Sequence, residues 1–127
     1  MLTMELVKQR ALSHLRRDLV LNALDDYVPL SSVTWEIRER LDPATDVKAV
    51  EAAVSLVRDL LTAGMIEVGD LVNKDVVRWE GSRDSVIARV ETAMKSDAPS
   101  ESGWIVPTEK ARGWAQQYER MLDQLRA

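Results

Sequence analysis

The sequence predicts a mainly α chain with a small β-hairpin, an α+β fold built as one domain. Three observations carry that reading. Apolar residues recur at steps of three and four, most clearly in Val47, Val50, Val54, Val57 and Leu61, which is the period of a helix with one buried stripe. Gly64 stands where that pattern stops, at the point where a helix C-cap needs a residue that tolerates the left-handed conformation. Directly after it, two runs rich in β-branched residues, Met65-Ile66-Glu67-Val68 and Val76-Val77-Arg78-Trp79, flank the polar tip Asn73-Lys74-Asp75 as the arms of a hairpin.

The remaining elements follow in order. Leu12, Leu15, Leu19, Val20, Leu21 and Leu24 predict that residues 4–25 are helical, as one helix or two with a bend, and Asp25, Asp26 and Pro29 mark a turn. Ser31 or Ser32 is placed to cap a short helix with Val33, Ile37 and Leu41 on one face. Asp42-Pro43 punctuates before the third helix, over 46–62, because proline's missing donor is harmless at a helix start. Gly69-Asp70 bends or bulges the first hairpin arm, and Leu71-Val72 leads into the tip. Gly81-Ser82 breaks the chain before a helix carrying Val86, Ile87, Val90 and Met94, followed by a polar loop from Ser96 to Gly103. Trp104-Ile105-Val106 reads as a short strand. Pro107-Thr108 opens a final helix whose stripe, Ala111, Ala115, Tyr118, Leu122 and Leu125, needs a partner surface, either the first helix or the same helix of a second copy in a homodimer.

Composition sets the classes that remain. A chain of 127 residues, 46% hydrophobic and 30% charged, falls in the soluble globular range and is about one domain's worth. It has no cysteine, so disulfides, thiolate nucleophiles and cysteine-based zinc sites are excluded, and a reducing compartment, the cytoplasm, is the expectation. Glu5, Lys8, Arg10, Arg16 and Arg17 interrupt the first twenty residues, which therefore offer neither a signal-peptide core nor a membrane span. Residues 1–20 carry four bases and two acids, residues 21–70 four bases and ten acids, and residues 71–127 nine of each. The negative charge is thus concentrated in the central helices, where it opposes any approach to phosphates.

Helix, short helix, patterned helix and hairpin, with Gly64-Met65-Ile66-Glu67-Val68 at the helix-to-strand junction, resemble the winged-helix (winged helix-turn-helix) fold of bacterial regulators over about residues 16–80. The run Thr108-Glu109-Lys110-Ala111-Arg112 is similar to the leucine-threonine-glutamate-lysine-glycine turn that often accompanies a wing strand, with Pro107 and Ala111 in place of the leucine and glycine. The organisation also resembles small actinobacterial winged-helix proteins of unassigned function. The resemblance implies a winged-helix core with additional C-terminal helices over about residues 82–127, all in one domain.

That resemblance implies that the third helix reads DNA, and its residue types weigh against this. Its outer face offers Lys48, Glu51, Ala52, Ser55, Arg58 and Asp59, whereas a groove reader normally presents Arg, Lys, Asn or Gln to base edges and cations to phosphates. On the regulator reading, DNA contacts fall to Arg16, Arg17, Lys48, Ser55, Arg58, Lys74 and Arg78, with a dimer formed through the terminal helix. Catalysis finds no constellation: Ser31, Ser32, Ser82 and Ser85 are explained by helix starts, His14 is the single histidine, and neither GxSxG, HExxH nor a phosphate-cradling glycine motif is present. No metal, cofactor or enzymatic activity is expected. The tryptophans are the stronger lead, since Trp35 need not share the Val33 face and an exposed tryptophan beside acids suits a protein interface. The preferred reading is a non-catalytic protein that binds another protein, with Trp35, Glu36, Glu39, Asp46, Glu51 and Asp59 as the docking face. Its acidity suits an inhibitor, antitoxin or immunity-type protein covering a basic, nucleic-acid-binding or nuclease partner.

Overall fold

The computed structural model describes residues 3–96 and 103–126. Helix α1 spans Met4–Asp25, strand β1 Val28–Pro29, α2 Leu30–Leu41, α3 Asp46–Thr62, β2 Ile66–Val72, β3 Asp75–Arg78, α4 Arg83–Met94, β4 Trp104–Pro107 and α5 Glu109–Arg126. The fold is mainly α with a small antiparallel sheet. Most of the predicted loop over 96–103 lies outside the described residues.

Thr3 starts α1 by accepting a hydrogen bond from the Leu6 N–H, the usual task of a short hydroxyl at an N-cap. Only the second half of the helix meets the core, through Leu15, Leu19, Val20 and Ala23. The α2 start differs from the sequence reading: Pro29, not Ser31 or Ser32, is the N-cap, and Ser32 donates its hydroxyl to the Pro29 carbonyl at 2.8 Å. The reason lies in Val28-Pro29, which the sequence marks as a turn. These residues form a short strand paired with Ile105 and Trp104, and the strand runs directly into the helix.

In α3, capped by Thr45, the buried face is also turned from the predicted one. Val54, Val57 and Leu61 are buried, but Val47 is 67% exposed and Val50 only half-buried, while Ala49, Ala53, Leu56 and Leu60 are buried. The helix carries two overlapping stripes. The alanine-bearing one lets neighbouring elements approach closely, and α3 lies between α2 and α4. At its end Gly64, with φ +73°, completes a Schellman motif: the Met65 N–H bonds the Leu60 carbonyl and the Gly64 N–H that of Leu61, both at 3.0 Å.

The chain returns to this junction from far away. The Thr108 N–H bonds the Met65 carbonyl at 3.2 Å, its hydroxyl donates to the Gly64 carbonyl at 2.6 Å, and the Lys110 ammonium donates to the Ala63 carbonyl at 2.7 Å. The same Thr108 oxygen accepts from the Ala111 N–H and so opens α5. One threonine therefore caps one helix while satisfying carbonyls left at the end of another.

The sheet order is β1-β4-β2-β3, antiparallel throughout. β2 and β3 are joined by Asn73-Lys74, both with positive φ (51° and 73°), the geometry of a two-residue type I′ hairpin turn. The predicted bend at Gly69-Asp70 is absent, since β2 is continuous from Ile66 to Val72. Gly69 is needed there for another reason: a Cβ at this position would collide with the Val77 carbonyl. Leu30, Ile37, Ile66 and Ile105 are the largest fully buried side chains, so the core lies where α1, α2 and α3 meet the β2–β4 pair. Trp79 closes the side of this core. Its ring lies against Gly103 (φ +102°), its Nε1–H donates to Asp70 at 3.0 Å, and the Arg89 guanidinium stacks 4.0 Å from its centroid.

Candidate protein-docking groove

The second helix turns Val33, Thr34 and Ile37 inward and leaves Trp35 outside, 55% exposed. Beside it the first turn of α3 presents Asp46, Val47 and Val50, and the end of α4 brings Met94 and Lys95. Together they enclose a cleft of about 600 Å³, with Trp35 and Arg38 on one wall, Asp46 and Val50 on another and Met94 at the α4 end. A continuation of about 360 Å³ passes Val47, Glu51 and Lys95. Two apolar side chains, Trp35 and Val47, thus stand exposed at adjoining depressions that share Asp46, Val50 and Lys95.

The six residues of the predicted acidic face do not form one patch. Trp35, Asp46 and Glu51 share the groove. Glu36 lies one position round α2 on the side toward α1 and pairs with Arg40 of its own helix at 2.9 Å. Asp59 sits at the far end of α3 and pairs with Arg16 at 3.4 Å. Glu39 is exposed on α2. Even in the groove Asp46 meets Arg38 at 3.2 Å, so with Glu51 and Lys95 the walls are close to charge-balanced. Thr34 is the buried polar residue beneath, and among the described residues no buried side-chain nitrogen or oxygen lacks a partner.

Three of the six cations assigned to DNA on the regulator reading are engaged in ion pairs. Arg16 pairs with Asp59, Arg17 with Asp18 at 3.2 Å, and Arg78 with Glu67 at 2.6 Å. Glu91 on α4 has its carboxyl held below the ordinary value, first by the Lys95 ammonium at 2.9 Å and, more weakly, by Arg58. α4 packs against α3. Lys48 is exposed and Ser55 half-buried on the strip that remains, and Lys74 stands at the hairpin tip. A separate cleft of about 560 Å³ between β3, α4 and the α5 start contains Arg78, Arg83 and Lys110, but Arg78 is tied to Glu67 and Lys110 to the Ala63 carbonyl.

Of the predicted dimer stripe, Ala111 and Ala115 are buried within the chain, Tyr118 and Leu122 are half-buried and Leu125 is 76% exposed. Trp114 is half-buried beside α1 and stacks on Tyr118 with centroids 5.5 Å apart. His14 is exposed. No helix among the described residues is long and apolar enough to cross a membrane.

Arg38, Val47, Val50, Met94 and Lys95 are groove residues that the sequence reading missed. Val47 was masked by its own fit to the valine stripe; the competing register Ala49, Ala53, Leu56 and Leu60, at steps of four, three and four, was the signal that could have found it. The chain matches no protein-family model, no curated protein and no solved structure.

Proposed function

We propose that this is a non-catalytic, cytoplasmic protein of winged-helix organisation that acts by docking another protein into the Trp35–Val47 groove. The observation that carries the proposal is the exposure of Trp35 (55%) and Val47 (67%) at two adjoining depressions that share Asp46, Val50 and Lys95, the first of them lined also by the buried Met94. Large apolar side chains left in water beside a depression are what a partner's anchors need, and tryptophan is the residue whose truncation most often costs an interface dearly. The succession α1-β1-α2-α3-β2-β3 supports the winged-helix assignment; β4, inserted between β1 and β2, and α4, packed beside α3, are departures from a simple wing. The basic-partner reading, with an inhibitor, antitoxin or immunity role, rests on the minus six balance of residues 21–70 as a whole and not on the groove, whose walls are close to charge-balanced. The second reading, a dimeric DNA-binding regulator, draws on the exposed Lys48 and Lys74 and is opposed by the ion pairs of Arg16, Arg17 and Arg78.

A photo-reactive residue at position 47 tests the docking role, with one at exposed position 83 as control. The expected result in native extract is a protein adduct at 47 and none at 83, with the adduct weakened by at least about fivefold in Trp35→Ala, as loss of an anchor worth more than about 1 kcal/mol implies. Equal adducts at both positions would overturn the groove. Affinity for mixed-sequence duplex DNA that falls steeply as salt rises would favour the regulator instead.

A further inference from the structure

The last helix buries only part of its apolar surface within the chain. Ala111 and Ala115 are buried, whereas Met121 is 49% and Leu125 76% exposed, and Trp114 and Tyr118 are half-buried. Trp114, Tyr118, Met121 and Leu125 follow one another at steps of four, three and four, the spacing of a coiled-coil seam. The seam starts at Trp114, which packs partly against the core beside α1, and runs along Tyr118, Met121 and Leu125 away from the buried Ala111 and Ala115.

We propose that the seam is the self-association surface of this protein and that its occupant is the same helix of a second copy. The argument is electrostatic. In a heptad that places Trp114 and Met121 at d and Tyr118 and Leu125 at a, every charged residue after Lys110 falls at b, c or f, away from the seam. Its free flank is formed by Gln117 and Gln124, and the Lys110 ammonium at its start is drawn off to the Ala63 carbonyl. Flanking positions normally carry the charges that choose between partners. A strip without them exerts no repulsion on its own copy, and glutamine, which both donates and accepts, is complementary to itself. A two-fold contact demands that kind of self-complementarity, because each surface must meet an identical one.

Light scattering across a range of protein concentrations tests the proposal. The expected mass is twice the 14.3 kDa of one chain, falling to the single-chain value in the double variant Met121→Glu, Leu125→Glu with its helical circular dichroism unchanged. These side chains are exposed, so their replacement leaves the chain's own core intact. If that variant loses helicity, single cysteines decide, since the natural chain has none. Oxidation is expected to link copies through position 118, 121 or 125 and not through Arg120→Cys on the charged side. A wild-type chain that stays monomeric at high concentration, or a dimer that survives both glutamates with a fold intact, overturns the seam, as would capture of a different protein there by a chain that does not self-associate.

Discussion

At the scale of single residues, Asp18 joins α1 to α2 by pairing its carboxylate with Arg40. Partial burial pushes its carboxyl up, but the hydrogen bond from Arg40 at 2.7 Å and that from Arg17 at 3.2 Å outweigh it, and the carboxyl is held below its ordinary value. Arg40 is shared with Glu36, so one guanidinium links both helices. The sign of the pH dependence follows. A carboxyl with a depressed folded value contributes stability that is fully present above its unfolded value near 3.8 and is lost as pH falls through the folded one. Asp18→Asn should therefore lower the melting temperature at neutral pH by about 1–4 °C, the effect of a partly exposed pair worth up to about 1 kcal/mol. Thermal unfolding of both proteins should show the difference shrinking once the pH passes below the unfolded value. A gap of constant size down to strongly acidic pH would mean that Asp18 acts through packing rather than charge.

At the scale of elements, the junction between α3 and β2 is stable because another segment completes it. Thr108→Val keeps the side-chain shape but removes the oxygen that both donates to Gly64 and accepts from Ala111. It should cost about 1–2 kcal/mol, the range for losing a cap together with a hydrogen bond. Urea unfolding should show a lower midpoint with an unchanged slope; a midpoint equal to wild type would remove the clamp from the account. Its sequence signal was visible as the Thr108-Glu109-Lys110 run, but nothing local tells that the run folds back on Ala63, Gly64 and Met65. The same division holds elsewhere. Gly64, the hairpin around Asn73-Lys74 and the Ser82 cap are legible because turns and caps are set by neighbouring residues. β1 is not, because two residues become a strand only when Ile105 and Trp104 arrive. For the docking face, the exposure of Trp35 could be read from its offset from Val33 and Ile37. The scattering of Glu36 and Asp59 could not, since their direction depends on where Arg40 and Arg16 lie.

At the scale of the whole molecule, stability is unevenly distributed. Residues 4–10 of α1 are all exposed, with Met4 at 72%, whereas Leu15 to Ala23 enter the core. A helical segment without tertiary cover is marginal on its own. Hydrogen exchange should therefore be fast for amides in the first turns of α1 and slowest around Leu19 and Val20; uniform protection along α1 would contradict this picture and mean that the first turns are covered.

The sheet order also has a consequence in time. β4 occupies the position between β1 and β2, yet it follows both in the chain and is separated from the hairpin by α4. As the polypeptide leaves the ribosome, the hairpin and the first helices are available early, while the gap beside Ile66 and Val68 stays open until residue 107 emerges. The nascent chain thus passes through a stage with an unpaired inner edge, the kind of edge to which foreign strands add. Its passage to the native state depends on α4 and β4 following promptly.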